Sequence, residues 1–152
     1  ITLRYLHYPL IDQNPKQGQL GAGAHTDYGT VTLLYQDDVG GLEVKGTDGR
    51  WHQAKSIPDT LIINTGDLMS RWTNEKYRST LHRVRARTQQ EAKATDRYSI
   101  AFFTDPDNNT PISVLPNCQS LSNPAKFKDT TAGEHIKERI AASLVLTDQN
   151  CD

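Results

Sequence analysis

Hydrophobic residues along the chain fall into short runs that are separated by turn residues. Runs of about four to eight residues bounded by Gly, Pro, Asn and Asp are typical of β-strands. Asp48-Gly49 separates two such runs and predicts a hairpin, because this dipeptide tolerates the positive φ of a tight turn. Strands are predicted in this way at residues 1–8, 31–35, 42–45, 51–55, 60–64, 81–87, 97–104 and 112–115. Many short strands favour a barrel or a jelly roll over a parallel α/β sheet.

The pattern changes near the C-terminus, where the spacing of apolar residues becomes helical. Thr131 and Glu134 have the spacing of a capping box, in which a hydroxyl and a carboxylate satisfy each other's backbone donors. Three aliphatic residues then follow at four-residue steps: Ile136, Ile140 and Leu144. This stripe predicts one amphipathic helix near residues 132–146. We therefore expect an all-β fold with a C-terminal helix, divided into a β core at 1–115 and a C-terminal extension at 116–152.

Composition and charge restrict the classes of protein to consider. The 152 residues carry 18 acidic and 17 basic side chains, so the basic excess of nucleic-acid-binding and membrane-surface proteins is absent. No apolar run approaches the roughly 18 residues of a membrane span. The two cysteines, Cys118 and Cys151, do not form a disulfide framework and favour a reducing, cytoplasmic setting. We expect one domain that has neither a nucleic-acid nor a membrane partner.

The segment His25-Thr26-Asp27 is the first candidate for chemistry. On an extended backbone, residues i and i+2 project to the same face, so the imidazole and the carboxylate converge while Thr26 points away. A further distant ligand would complete a facial triad, which suits non-haem Fe(II) and oxygen chemistry. With 5 histidines and 18 acids in 152 residues, roughly 0.6 motifs of this kind arise by chance, so the motif alone is weak.

The third ligand must be a distant histidine. His82 lies at the start of a predicted strand and is the first candidate, with a core histidine bonded to a carbonyl as the alternative. His52, beside the predicted hairpin, and His135, on the polar side of the predicted helix, are both predicted to be solvated. His7 is not excluded by the pattern and stays open.

Arg97 and Ser99 form a second candidate site on the strand predicted at 97–104. The alternation of a strand places the guanidinium and the hydroxyl on one face. A guanidinium presents a planar fork that matches a carboxylate, and the serine adds a further donor. An ordinary strand with an exposed arginine is the alternative, so the pair gains weight only in combination with the histidine motifs.

Three segments together resemble the signature motifs of a known enzyme family. Residues 23–34 (GAHTDYGTVTLL) are similar to the iron-binding strand of the isopenicillin N synthase-like, 2-oxoglutarate-dependent dioxygenases. Residues 64–68 (NTGDL) and 81–84 (LHRV) resemble the second signature of that family, and residues 97–103 (RYSIAFF) resemble its oxoglutarate-anchoring strand. Order, spacing and flanking residues agree over roughly residues 4–146, so the combination is far more specific than any one motif.

The resemblance implies two sets of site residues. The iron ligands that it implies are His25, Asp27 and His82. The residues that it implies for the far carboxylate of 2-oxoglutarate are Arg97, Ser99 and Tyr8. Leu6 and His7 stand where the Asn-Tyr-Tyr-Pro strand of the family has Asn and the first Tyr. The chain therefore departs from the family pattern beside the expected oxoglutarate pocket.

The resemblance also implies a fold and an activity. The fold is a double-stranded β-helix, the cupin-like jelly roll. The activity is Fe(II)- and 2-oxoglutarate-dependent oxidation of a small organic molecule with O2, by hydroxylation or desaturation, with release of succinate and carbon dioxide. Ascorbate is a further candidate cofactor. Two alternatives stay open: an oxoglutarate-independent oxidase resembling isopenicillin N synthase or aminocyclopropane carboxylate oxidase, and a jelly-roll fragment that binds metal or ligand without turnover.

The resemblance also implies that the chain is shorter than the full-length proteins of this family. Family members carry an additional N-terminal region that packs on the jelly roll and helps to form the substrate pocket. The chain has a hydrophobic content of only 36% and begins with Ile1 rather than Met. We therefore expect it to be the C-terminal catalytic region, which packs on an N-terminal region of the full-length protein.

Overall fold

The structure, a computed structural model, describes residues 1–10, 19–87 and 95–148, with side chains as far as residue 143. Strands and two α-helices make up most of this part of the chain. The strands are β1 (Thr2–Tyr8), β2 (Leu20–His25), β3 (Val31–Gln36), β4 (Leu42–Lys45), β5 (Trp51–Gln53), β6 (Ile62–Thr65), β7 (His82–Arg85), β8 (Arg97–Thr104), β9 (Pro111–Ile112) and β10 (Thr130–Thr131). The helices are α1 (Asp67–Trp72) and α2 (Ala132–Asp148).

Two four-stranded antiparallel sheets enclose a cavity. The first sheet has the strand order β1-β8-β3-β6, the second has the order β2-β7-β4-β5, and β9 pairs only with β10. Residues of both sheets line the cavity between them. The crossovers between sheets, with one face of each turned toward the other, are those of a jelly roll. The predicted all-β fold with a C-terminal helix is confirmed.

Strand register places specific side chains on the inner face of the first sheet. In the β1–β8 pair, Tyr8 lies opposite Arg97 and Leu6 lies opposite Ser99. Directly opposed residues of an antiparallel pair project to the same face. In the second sheet, the last residue of β2, His25, lies opposite the first residue of β7, His82. The register alone therefore brings residues far apart in sequence to the same cavity.

A small apolar cluster joins the two helices beside the sheets. Leu68 of α1, Ile112 of β9 and Ala132 of α2 are fully buried against one another, and Trp72 packs on them. Leu68 and Trp72 both belong to the six-residue helix α1. α1 directly follows β6, an edge strand of the first sheet. Because α2 packs on α1 through this cluster, it is held against the end of that sheet.

The N-terminus of α2 has the predicted capping box. The backbone N–H of Thr131 donates to Glu134 Oε2 at 3.2 Å, and the N–H of Glu134 donates to Thr131 Oγ1 at 3.3 Å. The hydrogen bond from the Thr131 backbone holds the pKa of Glu134 below its ordinary value. The helix extends to Asp148, close to the predicted 132–146.

The buried face of α2 differs from the predicted stripe. Ile136 is half-buried and Ile140 is 46% exposed, while the side chain of Leu144 lies outside the described residues. His135, predicted to be solvated, is instead 5% exposed, so that prediction was wrong. The reason is tertiary: the first turn of α2 packs on the cluster around Ala132, and the carbonyl of Tyr28 accepts a hydrogen bond from His135 Nε2 at 3.2 Å.

Two strands were missed or placed differently. β2 was not predicted because Gly21, Gly23 and two alanines hide the alternation of a strand. The strand predicted at 112–115 is shorter, at Pro111–Ile112, and its partner β10 lies in the C-terminal extension.

Substitution of Gly66 tests the close contact between α1 and the turn after β2. A Cβ at Gly66 would lie 2.8 Å from the carbonyl oxygen of Asp27 and still nearer that of Gly29. We expect Gly66→Ala to lower the free energy of unfolding by about 1–3 kcal/mol, as overpacking does. Gly23→Ala is the matched control, because a Cβ at Gly23 would meet no atom within 4 Å. Equal midpoints of chemical denaturation for the two variants would contradict the expected crowding.

Candidate metal centre and its cavity

Three potential metal ligands meet at the junction of β2 and β7. One ligand atom from each of His25, Asp27 and His82 lies within 4.8 Å of the other two. His82 Nε2 is 3.7 Å from Asp27 Oδ1, and the two imidazole centroids are 4.3 Å apart. Asp27 is buried, whereas His25 is exposed at the rim. The structure therefore brings together the three residues for which the sequence predicted a metal site.

Backbone carbonyls orient both histidines. His25 Nδ1 lies 2.7 Å from the carbonyl oxygen of Gly23, and His82 Nδ1 lies 3.0 Å from that of Thr80. A carbonyl only accepts, so in the neutral ring Nδ1 carries the proton, and Nε2 then has a free lone pair for a metal. This arrangement is the usual one for histidine ligands of metals, in which the second nitrogen fixes the tautomer and the ring orientation.

Among the described residues, the carboxylate of Asp27 accepts side-chain hydrogen bonds through one of its two oxygens. Its Oδ2 accepts hydrogen bonds from Thr32 Oγ1 at 2.6 Å and from Asn64 Nδ2 at 2.7 Å. Thr32 and Asn64 face each other across β3 and β6. Oδ1 is therefore left to the cluster with His82. Both residues lie within the motif segments 23–34 and 64–68, but no role was predicted for either, because their contacts with Asp27 depend on the register of β3 and β6.

The donor set fits ferrous iron. Two imidazole nitrogens and one carboxylate oxygen, with their other polar atoms already bonded, are the ligand set of the facial triad. Three ligands from one side leave positions open for small molecules.

The other three histidines do not join the cluster. His7 Nε2 lies 2.7 Å from Asp96 Oδ2, and its ring stacks on Tyr98. His52 is exposed and paired with Asp48, as predicted. The buried His135 contacts the backbone of Tyr28 instead. The three competitors for the third position thus have other partners.

Arg97 and Ser99 line the same cavity as the three potential ligands. Arg97 is 1% exposed and Ser99 is 2% exposed. Arg97 Nη1 donates to Ser99 Oγ at 3.2 Å, Nη2 donates to Gln36 Oε1 at 3.0 Å, and the guanidinium lies 4.9 Å from the ring centre of Tyr8. No role was predicted for Gln36 from the sequence. It lies opposite Ser99 in the β3–β8 pair, and only this register reveals its contact with Arg97.

The environment of Arg97 fits a carboxylate ligand. Within the described part of the chain its buried Nε has no hydrogen-bond partner, and both partners of its terminal nitrogens are neutral. Burial lowers the pKa of Arg97 from its ordinary value, although Tyr8 and Asp37 oppose the shift. A buried guanidinium is costly unless a counter-charge joins it, and a carboxylate is the anion that its planar fork matches. The cavity is small, with a volume of about 100 Å³.

A second cavity adjoins the cluster on its exposed side. Its volume is about 300 Å³, and His25 and Asp27 line both cavities. Phe103 and Asp105 line it from the end of β8, and Ile136 and Ile140 line it from α2. Ile136 and Ile140, two residues of the apolar stripe predicted on α2, therefore face this cavity instead of the core.

Fold and site together define a class of protein: a jelly roll with a cluster of two histidines and one carboxylate, and a buried arginine–serine pair, in one cavity. The family model of the 2OG-Fe(II) oxygenase superfamily matches residues 1–106. The chain belongs to this superfamily. The predicted family is thereby confirmed.

Individual proteins show the same relationship. The chain is 40% identical over 147 residues to clavatol oxidase of Penicillium crustosum, covering 95% of this chain and 42% of that protein. It is 39% identical over 127 residues to 1-aminocyclopropane-1-carboxylate oxidase of Dictyostelium mucoroides, covering 83% and 33%. The crystal structure of full-length Neurospora crassa T7H in complex with alpha-KG, which is 2-oxoglutarate, superposes with a TM-score of 0.83 at 40% identity, covering 93% and 44%. The chain spans less than half the length of these relatives.

Among the residues that the structure describes, neither helix has the length and apolar character needed to cross a membrane.

The buried His135 gives stability a dependence on pH. Burial and the neighbouring Arg71 hold the pKa of His135 below its ordinary value, although the Tyr28 carbonyl and Asp67 oppose the shift. A histidine whose pKa is lowered in the folded state favours unfolding once the unfolded chain takes up the proton, below about pH 6.5. We expect the melting temperature to fall more steeply from pH 7.5 to 5 in the wild type than in His135→Gln. Parallel pH profiles of the two proteins would show that His135 does not contribute.

Proposed function

We propose that the chain is the catalytic region of an Fe(II)- and 2-oxoglutarate-dependent oxidoreductase that hydroxylates or desaturates a small organic molecule. One observation carries the proposal: the cluster of His25, Asp27 and His82 and the buried pair Arg97 and Ser99 line one cavity. A metal site and a carboxylate site in the same small cavity are what a molecule with a keto acid at one end and a carboxylate at the other requires.

The proposed roles follow from the contacts. The metal is held by Nε2 of His25, Nε2 of His82 and Oδ1 of Asp27. Hydrogen bonds to the second ring nitrogen of each histidine and to the second oxygen of Asp27 keep these three atoms directed at the metal. When bound, Fe(II) couples the oxidative decarboxylation of 2-oxoglutarate to succinate and carbon dioxide with oxidation of the substrate by O2. The chain itself supplies orientation and an enclosed site.

Arg97 receives the far carboxylate of 2-oxoglutarate, and Ser99 adds a hydrogen bond. Tyr8 packs on the guanidinium from the opposite strand. Leu6, opposite Ser99, offers a methyl-bearing side chain where the family pattern has an asparagine. We infer that this wall of the pocket contacts the methylene groups of 2-oxoglutarate and excludes water from them.

The molecule to be oxidised occupies the second cavity in this proposal. His25 and Asp27 separate that cavity from the oxoglutarate pocket, so a substrate there lies against the metal. Phe103 and Ile140 provide apolar contacts, and Asp105 provides a carboxylate. Ascorbate, the further cofactor expected from sequence, would keep the iron ferrous between turnovers and is included in assays for that reason.

A second candidate function is an oxidase of the same superfamily that does not use 2-oxoglutarate. The identity with 1-aminocyclopropane-1-carboxylate oxidase of Dictyostelium mucoroides favours it. In that case Arg97 would bind a different carboxylate. Formation of succinate distinguishes the two functions, because only the first consumes 2-oxoglutarate.

Anaerobic titration tests the metal and the cosubstrate separately. We expect the wild-type chain to bind one equivalent of Fe(II) and to develop a visible charge-transfer band when 2-oxoglutarate is added. His82→Ala should lose Fe(II) binding. Arg97→Met should keep Fe(II) but weaken binding of 2-oxoglutarate about 10- to 100-fold, the value of a hydrogen-bonded charge. His52→Ala, an exposed histidine outside the cluster, is the control and should behave as wild type.

The titration can overturn the proposal in two ways. A wild-type chain that shows neither the band nor succinate formation with a substrate panel and ascorbate would remove 2-oxoglutarate from the function. Stoichiometric iron in His82→Ala would refute the ligand set.

We further propose that the outer face of the first sheet packs on the N-terminal region of the full-length protein. Tyr5 is 76% exposed, Ile63 is 66% exposed and Tyr35 is 50% exposed. The register joins them into one apolar surface, since Tyr5 and Tyr35 both face Ile100 of β8. Exposed apolar surface of this extent is typical of an interaction site. The relatives are more than twice as long as the matched region, which supports this occupant.

The outer face can be tested with a charge. In the full-length protein, we expect Tyr5→Glu to lower the free energy of unfolding by about 2 kcal/mol or more, because it would bury an unpaired carboxylate. Tyr77→Glu is the control, since Tyr77 is 55% exposed and lies outside this sheet. In the 152-residue chain alone both variants should be close to wild type. Equal small effects in the full-length protein would exclude packing over Tyr5.

A cytoplasmic location is also proposed. Cys118 is a free thiol, and Cys151 lies outside the described residues. A free thiol and a requirement for ferrous iron both support a reducing compartment.

A further inference from the structure

We propose that Asp67 and Arg139 are positioning residues of the metal centre: through the hydroxyl of Thr26 they hold the turn that carries Asp27. The inference rests on the proposed function, because it assigns a role toward the metal that His25, Asp27 and His82 would bind. It concerns Thr26, which lines the second cavity but not the smaller one, and it gives the C-terminal helix a part in the site.

The turn that carries Asp27 needs support that the second sheet does not give. β2 ends at His25, and its pairing with β7 ends at the same residue, after two register shifts along the strand. Asp27 therefore lies beyond the last ladder hydrogen bond of its own sheet. Ligands of a functional metal site must be held to within about 0.5 Å, which requires neighbours that lock them.

Asp67, the first residue of α1, contacts this turn twice. Its backbone N–H donates to the carbonyl oxygen of Asp27 at 2.8 Å. Its side-chain Oδ2 accepts a hydrogen bond from Thr26 Oγ1 at 3.1 Å. The side chain of Asp67 is only 16% exposed, so these contacts are shielded from solvent. Asp67 thus fixes the residue before the ligand and the ligand's own carbonyl.

Arg139 of α2 holds the carboxylate of Asp67 in turn. Its Nε lies 2.7 Å from the same Oδ2 that accepts from Thr26, and its guanidinium carbon lies 5.8 Å from the ring centre of Tyr28. Arg139 is 41% exposed, so solvent screens its charge and the pair contributes little to stability. Among the described residues Arg139 Nε has no hydrogen-bond partner, so it acts on the carboxylate of Asp67 as a close positive charge, and through that carboxylate on the hydroxyl of Thr26.

The contacts form one path from α2 to the metal ligands. Thr26 is the middle residue of His25-Thr26-Asp27, so a force on its side chain moves both neighbours. The backbone of α1 and the ring of His135 also hold the Tyr28 carbonyl, through the N–H of Leu68 at 3.1 Å and through His135 Nε2 at 3.2 Å. Loss of the path therefore loosens the site without opening the core.

Isosteric variants of Thr26 test the path. Thr26→Val removes the hydroxyl at nearly constant volume, and Thr26→Ser keeps it. We expect Thr26→Val to weaken Fe(II) binding about tenfold, the lower end of the effect of losing a group that orients a ligand, and Thr26→Ser to restore it. Anaerobic Fe(II) titration supplies this readout without turnover. At saturating Fe(II) the KM for 2-oxoglutarate should stay unchanged, because Arg97 and Ser99 are untouched, while kcat at limiting Fe(II) falls.

The control is a second threonine–carboxylate hydrogen bond, at the N-terminus of α2. Thr130 Oγ1 donates to Glu134 Oε2 at 3.1 Å, so Thr130→Val also removes a threonine–carboxylate bond. It should leave the Fe(II) dissociation constant as in wild type. Melting temperatures of the metal-free variants show whether any loss of affinity is only a loss of folding.

Double substitution tests whether Arg139 acts through Asp67. Arg139→Met should weaken Fe(II) binding in the same direction, and the pair Thr26→Val with Arg139→Met should be no worse than Thr26→Val alone. Additive effects would overturn the path. So would wild-type Fe(II) affinity in Thr26→Val, although the proposed function would then stand. A wild-type chain that binds no Fe(II) would overturn both.

Discussion

The pairing of β2 with β7 is the constraint on which the site depends. It places His25 directly opposite His82 and ends there, so that Asp27 enters the cavity from a turn outside the ladder. The other contacts of His25, Asp27 and His82 compensate for the end of the β2–β7 pairing at this point. Carbonyls orient the two imidazoles, a threonine and an asparagine of the first sheet hold one carboxylate oxygen, and α1 and α2 support the turn from behind.

The second constraint is a buried positive charge whose hydrogen-bond partners among the described residues are neutral, with Asp37 acting on it only through space. Arg97 is almost completely buried and is bonded to the neutral groups of Ser99 and Gln36. A protein interior tolerates such a group at a cost that a bound carboxylate offsets. The same pocket wall departs from the family pattern at Leu6. In the proposed function, recognition of the carboxylate would therefore rest on Arg97 and Ser99 of β8, with the aliphatic and aromatic surface of Leu6 and Tyr8 opposite.

The sequence predicted the elements whose information is local. The hairpin at Asp48-Gly49, the capping box of α2 and the short strands are patterns within a few residues, and the structure confirms them. The grouping of the candidate site residues followed from several motifs taken together. Burial of His135 and the supporting roles of Thr32 and Asn64 depend on contacts between distant elements. Those contacts exist only once the strands have paired in register, so no local sequence pattern predicts them.

The two oxygens of Asp27 belong to different parts of the molecule. Oδ2 is bonded to β3 and β6 of the first sheet, whereas Oδ1 lies beside a histidine that begins β7 of the second sheet. A cation held by Oδ1 and the two imidazoles would therefore join one sheet to the other through a single carboxylate. Its binding energy would add to the free energy that keeps the sheets together, so that occupancy of the centre and closure of the jelly roll become thermodynamically linked.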